Sequence, residues 1–471
     1  MSGLSTLKRR GVPQKRSAYA AIALLCVLTV PLLAGCGGSR GLGSDIFGES
    51  ASGPALATPA PSVPATPPPA TQGPLSTVPA APSLIPPAIR VPGGQVRIAI
   101  LLPLSGPEAR IGQALLNAAQ LALFDVADAD FQLRPYDTGA DPMEAGAVAQ
   151  QALADGAEII LGPLFAAATT AVAPYAHQAG VPVLSFSNDE AVADQGVFVL
   201  GFLPRDQVAR VVRYATAQGI VRYAALAPDT PYGRSVTRAL QETTQEAGAT
   251  TVRATLYNPG TGDFTQIARQ FADYDQRKRA LAGEKSRLAG RDDEASRRAL
   301  ARLERMETVE ELPYQAVLLP DAGQRLRSLA PMLAYFDVDN RKVRMLGTTL
   351  WDDASIAGEP TLGGGWYAAP AADMRATFEN RYQQAFGARP PLVAGLAYDA
   401  TALVALLARD RDQPDFSLAT LTSPEGFAGV NGIFRLKPDG LNERGLAVYE
   451  IGEGQRRVID PAPQSFQPLI N

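Results

Sequence analysis

The chain has 471 residues, of which 46% are hydrophobic and 19% charged, a globular composition long enough for two or three domains. The formal charge is −4; Lys8, Arg9, Arg10, Lys15 and Arg16 supply five cations before any acid, so the chain beyond them sits five lower, at −9, with no electrostatic call for nucleic acid. A single histidine, His177, and two cysteines, Cys26 and Cys36, leave a catalytic triad or a multi-histidine zinc site only one imidazole to build on.

The five cations open the chain, and an apolar run rich in Ala, Leu, Ile and Val follows from Ala18 to Leu33. That is the order of a secretory signal, too short to be read first as a membrane span. Its end, Leu33-Ala34-Gly35-Cys36, resembles a bacterial lipobox. The resemblance implies a signal peptide over 1–35 and Cys36 as the lipidated first residue of the mature protein. The alternative is an ordinary secretory signal with an incidental Cys. Cys26 leaves with the leader, so no intramolecular disulfide is expected. In lipoproteins of this kind an Asp after the Cys favours the inner membrane; Gly37 stands there and points to the outer one. Residues 36–94 are rich in Pro, Ala, Ser, Thr and Gly, with Pro54, Pro59, Pro61, Pro64, Pro67, Pro68 and Pro69. Such a segment cannot bury a core. Its reach as an extended tether is on the order of 100 Å, and it serves either to lift a domain off a membrane or as a passive spacer.

At Val96 the pattern changes. Val96 to Leu102 reads as a buried strand, Pro103 to Pro107 as a turn and Gly112 to Val126 as an apolar-faced helix. A strand over Phe131 to Tyr136, a helix over Pro142 to Asp155, a strand over Glu158 to Leu161, a helix over Ala166 to Gln178 and a strand over Val181 to Ser185 follow. After Phe198-Val199-Leu200 the alternation resumes. The expected elements are a helix Gln207 to Gln218, a strand Tyr223 to Ala227, a helix Ser235 to Ala247 and a strand Thr251 to Leu256. Further strands are predicted at Ala316 to Leu319, Val343 to Leu346 and Gly365 to Ala368. Helices are predicted at Gln324 to Phe336, Arg375 to Phe386 and Ala394 to Ala408. Strands and helices alternating at this spacing imply parallel βαβ units with right-handed crossovers. The expected fold is α/β, two Rossmann-like lobes in series within residues 95–471. The late helices and Gly432 to Arg435 return to complete one lobe or both.

Asp273 to Pro313 breaks the rhythm. It is rich in Arg, Glu, Ala and Leu, with Leu281 and Leu288 one heptad apart and a second stripe at Ala299, Leu303 and Met306. Gly290-Arg291-Asp292-Asp293 offers a stop followed by N-caps. The pattern predicts a charged helical hairpin inserted at 273–313, either a solvated appendage or a partner-binding arm.

Several segments together resemble the leucine-binding type of periplasmic binding protein (type I). They are IAILLPLSG (98–106), YDTGADP (136–142), ILGPLFAAATTAVAPYAHQAGVPVLSFSND (160–189), PYGRSVTRAL (231–240), GDFTQIARQF (262–271) and GLAYDATALVALL (395–407), in the family's order from Val96 to near the C-terminus. The resemblance implies two lobes joined by hinge strands, with a solute cleft at the carboxyl ends of the parallel strands. Family members that bind amino acids hold the ligand carboxylate with hydroxyls after a Gly-Pro loop. Here Gly162-Pro163-Leu164-Phe165 leads into Ala166-Ala167-Ala168, and Thr169 comes a turn late. The family's acidic partner for the ligand ammonium is matched only by the neutral Gly347-Thr348-Thr349-Leu350, with Asp352 and Asp353 just beyond. Tyr232 falls on the family's cleft tyrosine. The candidate cleft-lining residues are Ser105, Leu164, Phe165, Ala166, Ser185, Ser187, Asn188, Tyr232, Thr349 and Trp351. The serines have a structural alternative, satisfying loop backbone.

The anchor, the tether, the charged hairpin and the missing hydroxyls together resemble the penicillin-binding protein activator branch of this superfamily. Its members are lipid-anchored on the periplasmic side of the outer membrane and stimulate a peptidoglycan synthase. The alternative is the amino-acid or small-solute receptor of an ABC transporter. No catalytic residues, cofactor or metal site are expected. The run Gly363-Gly364-Gly365 precedes a strand rather than a helix and does not suit a phosphate loop.

Overall fold

The computed structural model describes residues 95–126, 131–309, 311–409, 414–452 and 454–466. The expected leader, Cys36 and the tether 36–94 lie outside the described residues. No helix among the described residues is long and apolar enough to cross a membrane.

The first lobe is built from β1 (Val96–Leu102), α1 (Ala109–Val126), β2 (Phe131–Asp137), α2 (Pro142–Ala154), β3 (Ile159–Leu161), α3 (Ala166–Ala179), β4 (Val183–Ser185) and β5 (Val197–Val199). Its strands pair in the order β2-β1-β3-β4-β5, every neighbour parallel. Strand β1 is apolar on both faces because helices cover both: Ile98, Ile100 and Leu102 pack with α1, and Ala99 and Leu101 with α2 and α3. Local chemistry sets the helix starts. Asp141 caps α2 by accepting from the Met143 N–H at 2.9 Å, with Pro142 in the first turn. Helix α1 begins three residues before the predicted Gly112, which lies inside it. A Cβ at Gly112 would come 2.0 Å from the Pro103 carbonyl oxygen, so this glycine lets the helix close on the β1 loop.

The second lobe continues with α4 (Pro204–Ala217), β6 (Arg222–Pro228), α5 (Pro231–Glu246), β7 (Thr250–Tyr257), α6 (Thr265–Phe271), α7 (Tyr274–Ala289), α8 (Glu294–Leu303), β8 (Ala316–Leu318), α9 (Gly323–Tyr335), β9 (Arg344–Gly347), α10 (Ala354–Ala357) and β10 (Trp366–Ala369). The chain then returns. Helices α11 (Ala372–Phe386), α12 (Ala394–Ala408) and α13 (Leu418–Leu421) precede a three-stranded antiparallel sheet, β11 (Phe427–Gly429), β12 (Gly432–Leu436) and β13 (Asn442–Arg444). Phe378, Tyr382, Leu396, Val404 and Phe434 enter the first-lobe core beside Leu115 and Phe198, so these late elements complete lobe one. β14 (Ala447–Gly452) and β15 (Gln455–Asp460) complete lobe two. Its sheet runs β15-β14-β10-β9-β8-β6-β7, with β14 and β15 antiparallel additions to five parallel strands. The sequence pattern did not predict this pair.

The chain therefore passes between lobes after β5, after β10 and between β13 and β14. Polar side chains stitch the passages together. Asn442 donates through Nδ2 to the carbonyls of Val199 (2.6 Å) and Gly201 (2.9 Å). Arg444 donates to the Leu200 carbonyl at 2.8 Å. Its guanidinium lies 5.1 Å from each of the Phe202 and Phe434 ring centroids and 3.7 Å from the buried Asp399 carboxylate.

The charged insertion is a helical hairpin, α7 and α8, as its pattern predicts. Asp293 caps α8, accepting from the Ser296 N–H at 2.9 Å. Leu281, Leu288 and Leu303 are buried against one another, with Ala299, Leu300 and Val309 alongside, so each arm covers the other's stripe. Met306 is a correction: α8 ends at Leu303, and Met306 lies beyond it, 40% exposed, with Val309 filling the place expected for it. At the base, Arg277 is buried and pairs with Asp337 at 2.7 Å, and Asp273 pairs with Arg253 at 2.6 Å. Both aspartates sit at positive φ, 48° for Asp273 and 69° for Asp337, a conformation Asp tolerates better than most residues.

Candidate functional site

In both lobes the loops that follow the parallel strands gather at the strands' carboxyl ends, where open α/β sheets take their ligands. In lobe one, the loop after β1 is held by Asp137, whose Oδ1 accepts from the N–H groups of Leu104 (2.8 Å), Ser105 (3.2 Å) and Gly139 (2.9 Å). Burial works to raise this carboxyl, but hydrogen bonds from Ser105, Gly139 and Leu104 outweigh it and hold Asp137 below its ordinary value. Ser105 itself is exposed.

After β3 the chain turns through Gly162 and Pro163 into α3. Leu164 is buried against the lobe-one core. Phe165 precedes the helix without a side-chain cap and is 44% exposed. Ala166 opens the helix without a hydroxyl. Both threonines of its first turns are engaged: Thr169 is buried, and Thr170 is exposed but bonds its own helix. Thr169 Oγ1 donates to the Phe165 carbonyl at 3.1 Å and lies 2.7 Å from Ser185 Oγ; Thr170 donates to the Ala166 carbonyl at 3.1 Å. Ser185 is fully buried, its Oγ also lies 3.2 Å from the Pro163 carbonyl, and it accepts from the Ser187 N–H at 3.2 Å. Ser187 Oγ accepts from the Asp189 N–H at 3.0 Å. Asn188 is exposed at the end of this loop.

In lobe two, Thr230 caps α5 by accepting from the Gly233 N–H at 3.0 Å, which sets Tyr232 in the first turn. The Tyr232 hydroxyl donates to Thr348 Oγ1 at 2.9 Å. Burial pushes it up to about 12, against the hydrogen bonds to Thr348 and Gln207. Thr349 donates through both its N–H and its hydroxyl to Gln207 Oε1, each at 2.8 Å, and Gln207 Nε2 donates to the Phe202 carbonyl at 2.7 Å. Trp351 is 1% exposed. Its Nε1 donates to the Leu319 carbonyl at 3.0 Å, and its ring lies on Gly347, where a Cβ would come within 2.1 Å of it. Trp351 thus packs in the core of lobe two.

The acidic groups near this face are engaged as well. Asp321 follows β8, accepts the Tyr257 hydroxyl and pairs with Arg325 at 2.9 Å. Asp352 accepts the Tyr367 hydroxyl at 3.1 Å, pairs with Arg375 at 2.8 Å and is bridged by Arg456. Asp353 caps α10, accepting from the Ser355 N–H at 2.7 Å. The sequence reading missed Gln207, Asp321 and Arg325, and met Thr348 only within the neutral Gly347-Thr348-Thr349-Leu350 match. Only the i,i+4 spacing of Asp321 and Arg325 was a readable signal. Among the described residues, no group of three or more His, Cys, Asp or Glu side chains is arranged to hold a metal ion.

What the arrangement offers a solute is backbone: the first-turn N–H groups of α3 and exposed apolar side chains, Phe165 and Leu350, the latter 37% exposed. The named hydroxyls and carboxylates of both lobes already have partners within the protein.

The chain resembles solved structures of solute-binding proteins. A branched-chain amino acid ABC transporter periplasmic ligand-binding protein of Burkholderia xenovorans has a TM-score of 0.60 at 17% identity, covering 80% of this chain and 98% of its own. An ABC transporter substrate-binding protein of Sphaerobacter thermophilus has a TM-score of 0.59 at 19% identity, covering 79% and 98%. A leucine-binding protein of Thermotoga maritima has a TM-score of 0.53 at 17% identity, covering 77% and 97%. An uncharacterised protein of Rickettsia prowazekii (strain Madrid E) is 28% identical over 147 residues, 31% of this chain and 39% of its own length. The chain thus spans about two fifths of that curated relative. The family model described as periplasmic binding protein matches residues 95–456, and the two-lobed α/β fold agrees with it: this chain belongs to the periplasmic binding protein family.

Proposed function

We propose that this protein is an outer-membrane lipoprotein of the penicillin-binding protein activator kind. It is held on the periplasmic side by a lipid on Cys36 and regulates peptidoglycan synthesis by contact with a synthase. Its leucine-binding-type domain acts as a protein-interaction module without catalysis. The observation that carries this reading is the internal satisfaction of the polar groups in the loops after the parallel strands. An amino-acid zwitterion needs hydroxyls for its carboxylate and an acid for its ammonium. Ala166, Ala167 and Ala168 supply no hydroxyl, Thr169 and Ser185 bond each other, and Asp321 and Asp352 are neutralised by arginines. A desolvated carboxylate or ammonium left without its partners is penalised by several kcal/mol in order of magnitude. The lipobox, the Pro-rich tether and the helical arm support the same reading.

The second reading, a small-solute receptor of an ABC transporter, is favoured by the uncapped first turn of α3, whose N–H groups suit a carboxylate. Titration calorimetry of the protein with a panel of free amino acids separates the two. No heat of binding at micromolar concentration is expected. A micromolar Kd for any of them refutes the activator reading in favour of the receptor.

A further inference from the structure

The arm formed by α7 and α8 carries more cations than it pairs. Arg287 and Arg298 are bridged by Glu284 and Glu294 within their own helices. Lys278, Arg279, Arg291, Arg297, Arg302 and Arg305 have no ion pair among the described residues, and all are exposed. On α8 the buried side is marked by Ser296 and Leu303. Arg298, Arg302 and Arg305, at i, i+4 and i+7, fall on the opposite side. The chain tightens past Leu303, with the Glu304 N–H donating to the Leu300 carbonyl at 2.9 Å and the Arg305 N–H to the Arg302 carbonyl three residues back at 3.3 Å, so Arg305 lies one tight turn beyond Arg302, just past the helix end. This row does not hold the arm together. The arm's own leucines do that, with Arg277–Asp337 fixing its base.

We propose that Arg298, Arg302 and Arg305 form a docking strip for a row of carboxylates on a folded protein partner. This rests on the synthase reading above and names the surface and chemistry through which the synthase is met. Three guanidinium forks one helical turn apart suit carboxylates at matching spacing. The strip is one side chain wide, with Glu294 at one end and the exposed Glu304 and Glu307 beside the other. A uniformly anionic lipid surface or glycan would meet those acids as well. A protein face can pattern its charges to avoid them.

The test uses the full-length protein and a purified bifunctional peptidoglycan synthase, with surface-plasmon resonance at low and at about 0.5 M salt. The charge-reversed triple variant Arg298→Glu, Arg302→Glu, Arg305→Glu is compared with the conservative triple to Lys. The reversal is expected to weaken binding about tenfold or more, mostly through association rate, and to abolish the salt dependence; the Lys triple should recover part of the affinity. Circular dichroism of both variants should match the parent. Parent-like binding by the reversed triple overturns the docking strip and leaves the synthase reading standing. Failure of the unsubstituted protein to bind overturns both. Arginine-dependent binding to phosphatidylglycerol vesicles with no arginine-dependent synthase binding overturns the proposal in favour of a membrane contact.

Discussion

Replacing Asp399 by Asn should remove a pH dependence built into the crossing between the lobes. Asp399 lies on α12 with its side chain fully buried. It accepts from the Val430 N–H at 2.6 Å and from Asn431 Nδ2 at 3.4 Å, and faces Arg444 at 3.7 Å. Burial pushes its carboxyl up to about 6, overcoming the attraction of Arg444 and the hydrogen bonds from Val430 and Asn431. The folded state therefore binds this proton more tightly than the unfolded chain, where the ordinary value is 3.8. The stabilising contribution is complete below 3.8 and is lost as pH rises through 6. A rise from 3.8 to about 6 corresponds to about 3 kcal/mol at 25 °C. Asp206, in the first turn of α4, is pushed up to about 6 by burial against Arg205 and Lys437 and acts with the same sign, so the variant keeps part of the dependence. Urea unfolding of parent and Asp399→Asn from pH 4 to pH 7.5 reads the difference. The parent should lose about 2 kcal/mol relative to the variant across that range, since part of the contribution is already lost at pH 4, while leaving Arg444 without its counter-charge lowers the variant's stability as a whole. Stability curves that run parallel over the range would refute the assignment of a destabilising charge at Asp399.

Other expectations can be checked with standard assays. Trp351→Ala empties a fully packed site beside Gly347 and breaks the bond to Leu319; it should cost about 3–5 kcal/mol in denaturant unfolding, and a change under about 1 kcal/mol would contradict the core placement of the indole. Replacing 275–311 by a short Gly-Ser loop should leave both lobes folded, since the arm packs its own leucines, with a calorimetric midpoint only slightly lower and a weaker synthase contact; loss of cooperative unfolding would show the arm to be part of the lobe core. Cys36→Ala should leave the protein soluble or uncleaved on cell fractionation, and a processed variant that still partitions with membranes would exclude the lipid anchor there.

Much of the fold was legible because parallel strands buried on both faces read as short unbroken apolar runs. Ile98 to Leu102 and Tyr223 to Ala227 are of this kind, and helix caps such as Thr230-Pro231 mark the intervening starts. The antiparallel strands β14 and β15 were not legible. Residues 455–460 are mostly exposed, so no hydrophobic alternation announces them, and they join a sheet whose other members lie up to about two hundred residues earlier. The cleft was less legible still. Ser185, Thr169, Tyr232 and Thr349 are of the right chemical kind for ligand contacts, yet each is turned toward a neighbour distant in sequence: Tyr232 to Thr348, Thr349 to Gln207. Which way Trp351 faces depends on the space left by Gly347, four residues before it, a packing fact that spacing alone does not carry. The hairpin's two stripes were visible, but not that the helix stops at Leu303 and turns Met306 outward.

Glycan polymerisation by a purified peptidoglycan synthase, measured with and without the full-length protein, tests the central claim most directly. The rate is expected to rise with added protein to a saturating value, to be unaffected by free amino acids and to fall back when Arg298, Arg302 and Arg305 are reversed. An unchanged polymerisation rate at saturating protein would contradict it.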